Sequence, residues 1–285
     1  MTVRISLKSA MLVGGRYHYQ GKLLSGVGFA IDQQGSVAAS LIEDGLVVGR
    51  YRSICVADDR GYPQIDARGQ LLDYQLITYQ GDPYTGVAYE FIGGQCGIEA
   101  FVRNGVIWNQ AHWSNEGRFI YLDIPNEEFG EAYHWHPNGR LKTANISTNS
   151  GFFGSIGFDE HARMNHLSGY KGFLKSVEYI SSKAAPFFPF ESTADIDQMT
   201  FACKLRLSGG DVDDVFFESI SHNKSIGRVI SLHLNSVQMT SPDLRRFVSL
   251  EEVHVQSTDH SGISLATYLK QAYPTMRVLA DRIKL

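Results

Sequence analysis

Long hydrophobic runs are missing from this 285-residue chain: nothing in it approaches the ~18 consecutive apolar residues that a membrane-crossing helix needs. The N-terminal stretch MTVRISLKSAMLVGG sets Arg4 and Lys8 among its apolar positions and has no unbroken apolar core, so it does not read as a secretory signal. Cysteine is scarce. Cys55, Cys96 and Cys203 are odd in number and far apart, with no CxxC pair, which excludes a disulfide framework and points to reduced thiols in a cytoplasmic protein. Basic tracts are absent and the formal net charge is −4, so nucleic acid is not an expected partner, and the lack of a basic patch weakens the case for an anionic membrane.

Catalytic signatures are equally sparse. Gly93-Gly94-Gln95-Cys96-Gly97 and Ser208-Gly209-Gly210-Asp211 carry neither a P-loop lysine nor dinucleotide spacing, and read as turns. His134 and His136 share one face of a strand, but no third ligand follows at a defined spacing. The adjacent carboxylates Glu127-Glu128 and Asp213-Asp214 would diverge from each other in a strand or helix and suit a solvated face. These absences lead to an expectation of no enzyme activity, no cofactor and no metal.

Glycine is abundant, with 28 residues, and it is periodic. Tyr19-Gln20-Gly21-Lys22-Leu23-Leu24-Ser25-Gly26-Val27 recurs as Tyr79-Gln80-Gly81-Asp82-Pro83-Tyr84-Thr85-Gly86-Val87, an offset of 60 positions, and Gly45 recurs at the same offset as Gly105. Between the glycines, apolar and polar residues alternate, as in Val87-Ala88-Tyr89-Glu90-Phe91, which is the pattern of strands. Asp44-Gly45, Asn104-Gly105, Glu116-Gly117 and Asn138-Gly139 suit type I′ hairpin turns. Hairpins of about 20 residues cannot bury an apolar face alone and must stack. Gly21, Gly45, Gly81, Gly105, Gly117 and Gly139 are therefore expected to be structural turn glycines.

Trp135-His136-Pro137-Asn138-Gly139-Arg140-Leu141-Lys142 and Trp113-Ser114-Asn115-Glu116-Gly117-Arg118-Phe119 resemble the MORN-repeat family in its divergent bacterial form, over residues 15–180. The stretch 154–163 departs from that pattern by lacking the turn glycine. Residues 181–198, with Pro186, Pro189 and three phenylalanines, read as a linker between a hairpin domain at 1–180 and a second domain at 199–285. In the second domain apolar residues recur at x, x+3 and x+5: Ala202, Leu205, Leu207; Val229, Leu232, Leu234; Leu250, Val253, Val255; Thr275, Val278, Ala280. Helix-like stretches follow at Val212–Ser221, Ser241–Phe247 and Leu265–Gln271, the second with Ser241 as N-cap and Pro242 in its first turn.

A strand, turn and helix repeated every 20–28 residues resembles a leucine-rich repeat, although Gly210, Val237 and Thr258 stand where that repeat carries asparagine. A small α/β sandwich with parallel strands is the alternative. The expected fold is thus mainly β, a stacked antiparallel β-hairpin (MORN-like) array followed by a small α/β leucine-rich-repeat-like domain.

Repeat arrays usually bind macromolecules. The resemblance to divergent MORN proteins implies an antitoxin or immunity protein that neutralises a bacterial toxin by direct binding, with a MORN-type scaffold or phospholipid-associated protein as the alternative. The partner is expected to be a cognate toxin or effector, met without nucleic acid or membrane insertion. Its contact surface is expected at an acidic rim of Asp211, Asp213, Asp214, Glu218, Glu251, Glu252 and Asp259, with Tyr133 and Trp135 nearby.

Overall fold

A computed structural model of the chain describes residues 3–56, 61–73, 76–125, 129–148, 151–169, 200–256 and 260–280. The expected linker at 181–198 and Asp259 lie outside the described residues. The chain is mainly β and forms two compact units, residues 1–127 and 128–285.

In unit 1 the 60-residue duplication is repeated in three dimensions. The first copy opens on strand β1 (Val3–Ser6), continues through a small sheet of β2 (Met11–Val13), β3 (Arg16–Tyr19) and β4 (Lys22–Leu23), and then forms an antiparallel meander of β5 (Gly26–Ile31), β6 (Val37–Glu43) and β7 (Leu46–Arg50). The second copy repeats the plan with β8 (Gln64–Asp66), the hairpin β9 (Thr78–Tyr79) and β10 (Asp82–Pro83), and the meander β11 (Gly86–Ile92), β12 (Gln95–Arg103) and β13 (Val106–Trp113). Strand β14 (Phe119–Pro125) extends that meander.

The opening strand of each copy lies parallel to the first strand of its meander, with Ile5 beside Gly28 and Ile65 beside Ala88. Even the β-bulges correspond, at Leu41/Ile42 and Phe101/Val102. The repeating element here is therefore a 60-residue strand, hairpin and meander, with parallel pairs that an all-hairpin array does not contain. A two- or three-strand meander leaves an edge and an apolar face open, and the added strand covers the edge.

Turn chemistry explains the local geometry. Gln20-Gly21, Asp44-Gly45, Gln80-Gly81 and Asn104-Gly105 have positive φ at both residues, as type I′ turns require. Gly117 and Gly139 also have positive φ, but the residues before them do not. There Gly117 N donates to Ser114 O and Ser114 N to Arg118 O, at 2.8 Å each, so a type I turn closed by a glycine bulge replaces the expected type I′ turn.

Gly45 and Gly105 have a second constraint. Gly105 N donates to Tyr84 O and its carbonyl accepts from Ile77 N, both at 2.8 Å; Gly45 does the same with Leu24 and Tyr17. A Cβ on Gly105 would meet Leu76 Cδ1 at 2.5 Å, whereas one on Gly139 would meet nothing within 4 Å. Gly105→Val is accordingly expected to destabilise by more than ~1 kcal/mol, and by more than Gly139→Val. Equal denaturant midpoints for the two variants would contradict the role given to that turn.

The copies interlock reciprocally. Ser6 N, at the end of β1, donates to Gly94 O in the β11–β12 turn, and Asp66 N, at the end of β8, donates to Gly35 O in the β5–β6 turn, both at 2.8 Å. Each copy has its own small core. Ile5, Leu24 and Ile42 form the first, and their counterparts Ile65, Tyr84 and Val102 sit in the second. The corresponding residues Phe29 and Tyr89 meet each other with ring centroids 4.9 Å apart.

Unit 2 begins with an antiparallel meander of β15 (Phe129–Trp135), β16 (Leu141–Thr148), β17 (Gly151–Phe158) and β18 (Met164–Gly169). Strand β19 (Phe201–Ser208) then joins β18 in parallel. After it come helix α1 (Asp214–Ser221), β20 (Ser231–Asn235), β21 (Glu252–Gln256), helix α2 (His260–Ala272) and β22 (Arg277–Ala280), and every strand from β18 to β22 is parallel to the next.

The x+3 and x+5 residues fall in register: Leu205, Leu232, Val253 and Val278 form one row, and Leu207, Leu234, Val255 and Ala280 the next. Their side chains leave the sheet on one side because alternate residues of a strand share a face. Asp213 caps α1, its carboxylate accepting from Phe216 N at 2.8 Å.

Ser241–Phe247, expected to be a helix, is an irregular stretch with one turn at Arg245–Arg246. Asp243 Oδ1 accepts the amide of Arg245 two residues on, at 3.0 Å, and Leu244 N donates to Tyr273 Oη at 2.9 Å. Such local bonds compete with helical ones. Leu244 and Phe247 are nevertheless buried, and Phe247 stacks on Phe217 of α1 with centroids 5.2 Å apart.

Candidate binding site

The same register that aligns the apolar rows aligns polar rows on the opposite face of the parallel sheet. Lys204, Ser231, Glu252 and Arg277 lie side by side across β19–β22. Two residues further along come His166, Arg206, His233 and His254 across β18–β21, and then Ser168, Ser208, Asn235 and Gln256. Two or more strands must alternate apolar-in and polar-out in the same phase for such a face to arise, and here four do.

The middle of the face is tightly organised. The rings of His233 and His254 are stacked, 4.2 Å apart and inclined by 4°. Ser231 Oγ donates to Glu252 Oε1 at 2.9 Å and lies 3.3 Å from His233 Nε2, while His254 Nε2 is 3.3 Å from Glu252. Arg277 approaches the same carboxylate at 3.9 Å but is 70% exposed, so it remains largely hydrated.

Toward β18, Asn165, His166, Lys204, Leu205, Arg206 and His233 line a groove of about 330 Å³. His166 Nε2 is 3.0 Å from Ser155 Oγ, and its buried Nδ1 has no hydrogen-bond partner. Burial holds the His233 imidazole below its ordinary range, with His254 and Arg206 adding to the shift; burial and then Arg206 do the same to His166. The face thus carries three permanent cations, Lys204, Arg206 and Arg277, against one carboxylate, Glu252.

Unit 1 has a cleft of about 310 Å³ lined by residues that include Arg4, Tyr19, Gln95, Cys96 and Glu116. Behind it, Glu99 is fully buried and all its lone pairs are occupied. Oε2 accepts from Arg4 Nη2 at 2.5 Å and Tyr51 Oη at 3.0 Å, and Oε1 from Ser53 Oγ at 2.6 Å and Ile54 N at 2.8 Å. The Arg4 guanidinium lies 3.7 Å from the centroid of the Trp113 ring. Burial drives the Cys96 thiol up to about 12 and Cys55 well above the ordinary thiol range. A neutralised cation and protonated thiols offer little to a reactant, and this cluster serves the fold.

The residues expected at an acidic rim are not gathered on one edge. Asp211, Asp213 and Asp214 follow the C-terminal end of β19, whereas Glu251 and Glu252 stand at the N-terminal start of β21; in parallel strands these are opposite ends. Asp213 caps α1. Asp214 accepts from Thr240 N, Thr240 Oγ1 and Ser241 N, tying α1 to the next turn. Glu218 pairs with His222 on the helix surface at 3.7 Å. Glu252 alone sits on the polar face. Tyr133 and Trp135 are 1% and 7% exposed, so they are core residues of unit 2. Tyr133 Oη donates at 2.8 Å to the fully buried Glu131.

Sequence reasoning missed His166, Lys204, Arg206, His233, His254 and Arg277. The signal was present at the positions between the apolar ones, where Lys-Leu-Arg-Leu, Ser-Leu-His-Leu and Glu-Val-His-Val repeat. His134 and His136 do not join this face: His136 Nε2 bonds Phe158 O at 2.9 Å.

No helix among the described residues is long and apolar enough to cross a membrane, and no group of three or more potential metal-ligating His, Cys, Asp or Glu residues is gathered among them. No family model matches the chain, and no curated protein matches it. Among solved structures it is similar to the glycosylation-associated protein (Gap123) complex from Streptococcus agalactiae, at 13% identity over 72% of this chain and 61% of that one, with a TM-score of 0.22. It is also similar to accessory secretory protein 1, 2 and 3 in Streptococcus pneumoniae, at 10% identity over 73% and 42% with a TM-score of 0.22, and to a GtfA/B complex, at 12% over 64% and 38% with a TM-score of 0.19. The chain spans less than two thirds of each of these proteins, and at such TM-scores the likenesses carry neither fold nor function.

Proposed function

We propose that this protein is a non-catalytic binding protein that takes a protein partner on the polar face of its parallel sheet. The observation behind this reading is the three polar rows held in register across β18–β22, a rigid and extended surface with donors, acceptors and unneutralised cations facing outward. Rigid β-strands present such groups with little entropy to lose on binding.

Within this reading the strands belong to a MORN-like array and a leucine-rich-repeat-like region, an assignment supported by the turn-glycine spacing and by the aligned x+3 and x+5 residues. The resemblance further makes the partner a bacterial toxin and the protein its cytoplasmic immunity factor.

Co-expression with the products of neighbouring genes, followed by affinity purification of the full chain, tests both levels. A captured partner should be lost, with at least a tenfold weaker Kd, when Arg206→Glu and His233→Ala are combined, and retained with Lys224→Glu on the turn after α1. Undiminished capture by the double variant would refute the assigned face. A captured partner whose toxicity is unaffected by this protein would refute immunity.

A further inference from the structure

We propose that the groove between β18, β19 and β20 is a binding site for an acidic peptide segment of the partner. This deepens the binding reading above and rests on it.

Three features favour an anion. Lys204 and Arg206 are exposed and have no acidic partner among the described residues, so their charge is available. His166 and His233 stand beside them, and burial, with Arg206 adding to it, opposes protonation of both rings. His166, whose buried Nδ1 has no hydrogen-bond partner, lines the same groove.

The spacing favours a chain of carboxylates over one small oxyanion. Lys204 and Arg206 are two residues apart on β19, which separates them by about 7 Å along the strand. Arg277 is three strands from Lys204, about 14 Å across the sheet at ~4.8 Å per strand. One phosphate group cannot reach these positions together, but successive side chains of an extended acidic segment can. A membrane surface fits less well, because His166 and His233 are recessed between their neighbours rather than protruding.

Affinity should depend on pH. The groups facing the groove and its margin are His166 on β18, Lys204 and Arg206 on β19, His233 on β20, His254 and Glu252 on β21, and Arg277 on β22. Burial, with repulsion from Arg206 added to it, keeps His166 and His233 neutral; an anion among them offsets the repulsive part, so their affinity for protons rises on binding. Protons are then taken up with the ligand, and by linkage binding tightens as pH falls toward 6. Glutamate side chains of the ligand, with pKa near 4.3, stay ionised over that range.

Fluorescence anisotropy of the full chain with a fluorescein-labelled hexaglutamate peptide at low salt, between pH 8 and pH 6, tests this. Binding should tighten at least threefold over that range and weaken with added salt. Lys204→Gln with Arg206→Gln should weaken it at least tenfold at every pH, with an unchanged thermal midpoint showing that the variant folds. His233→Gln should lose part of the tightening between pH 8 and pH 6.

Absence of hexaglutamate binding at pH 6 would overturn the proposal, as would affinity indifferent to the Lys204 and Arg206 substitutions. Equal or stronger binding of inorganic phosphate, of phosphatidylserine vesicles or of a single-stranded oligonucleotide would also overturn it. If partner capture is lost in the face variants while hexaglutamate never binds, this inference fails and the binding reading stands; capture undiminished by those variants sinks the binding reading itself.

Discussion

Glu99→Ala is expected to lower the folding free energy by about 3–5 kcal/mol, the usual cost of leaving a buried charge without its partner. The substitution would strand Arg4, which is 5% exposed, and remove the acceptor used by Tyr51, Ser53 and the amide of Ile54. Arg4 comes from the opening strand of the first 60-residue copy and Glu99 from the second meander, so the pair also joins the copies. Its counterparts at the 60-residue offset are Gln64 and Ala39, and the ion pair therefore occurs only once in the duplication.

Burial is the largest single effect on Arg4 and opposes its charge, but Glu99, Tyr51 and Cys96 together outweigh it and hold the guanidinium protonated. Arg4→Met should cost a similar amount, and Arg4→Met combined with Glu99→Leu should be milder than either single change, because two apolar groups leave no unpaired charge. Urea denaturation of the three variants measures this. Additive losses would mean that the two residues do not act as a pair.

Gly26→Val is expected to cost about 2–6 kcal/mol, since overpacking contributes about 1–3 kcal/mol and a strained backbone conformer a similar amount. Gly26 has φ +152, and a Cβ there would run into the carbonyl oxygen of Val3 and come within 2.8 Å of its amide nitrogen. Val3 is the residue paired with Gly26 in the parallel β1–β5 ladder, so relief requires the opening strand to move away. Gly86, its counterpart with φ +155, is closed in the same way by the Pro63 carbonyl at 2.5 Å. Gly49, on β7, meets nothing within 4 Å and serves as the control. A Gly26→Val midpoint equal to that of Gly49→Val would show that β1 does not need this approach.

The duplication could be read directly, because glycine at 21, 45, 81 and 105 answers to a local requirement, positive φ in a two-residue turn. The apolar rows at Leu205, Leu232, Val253 and Val278 were legible for a related reason: alternation in a strand is a property of a few neighbouring residues. Helix α1 was also read, within the helix-like stretch Val212–Ser221. Ser241–Phe247 was not, because the choice between helix and an irregular path was made by Asp243 and by Tyr273, thirty positions beyond Asp243, and the second of these contacts is tertiary.

The candidate site divides in the same way. By itself the sequence determined that strands and turn glycines recur, that one copy follows another at 60 residues, and that polar side chains alternate with apolar ones in β19, β20 and β21. It could not determine which side chains become neighbours. Placement of Ile5 beside Gly28, burial of Glu99 under Arg4, removal of Tyr133 and Trp135 into the core, and separation of Asp213 from Glu251 at opposite strand ends all depend on strand order and register. Those were decided by the tertiary structure, because pairing between distant strands is selected by the burial of both faces together, and no local pattern encodes the partner a strand will have.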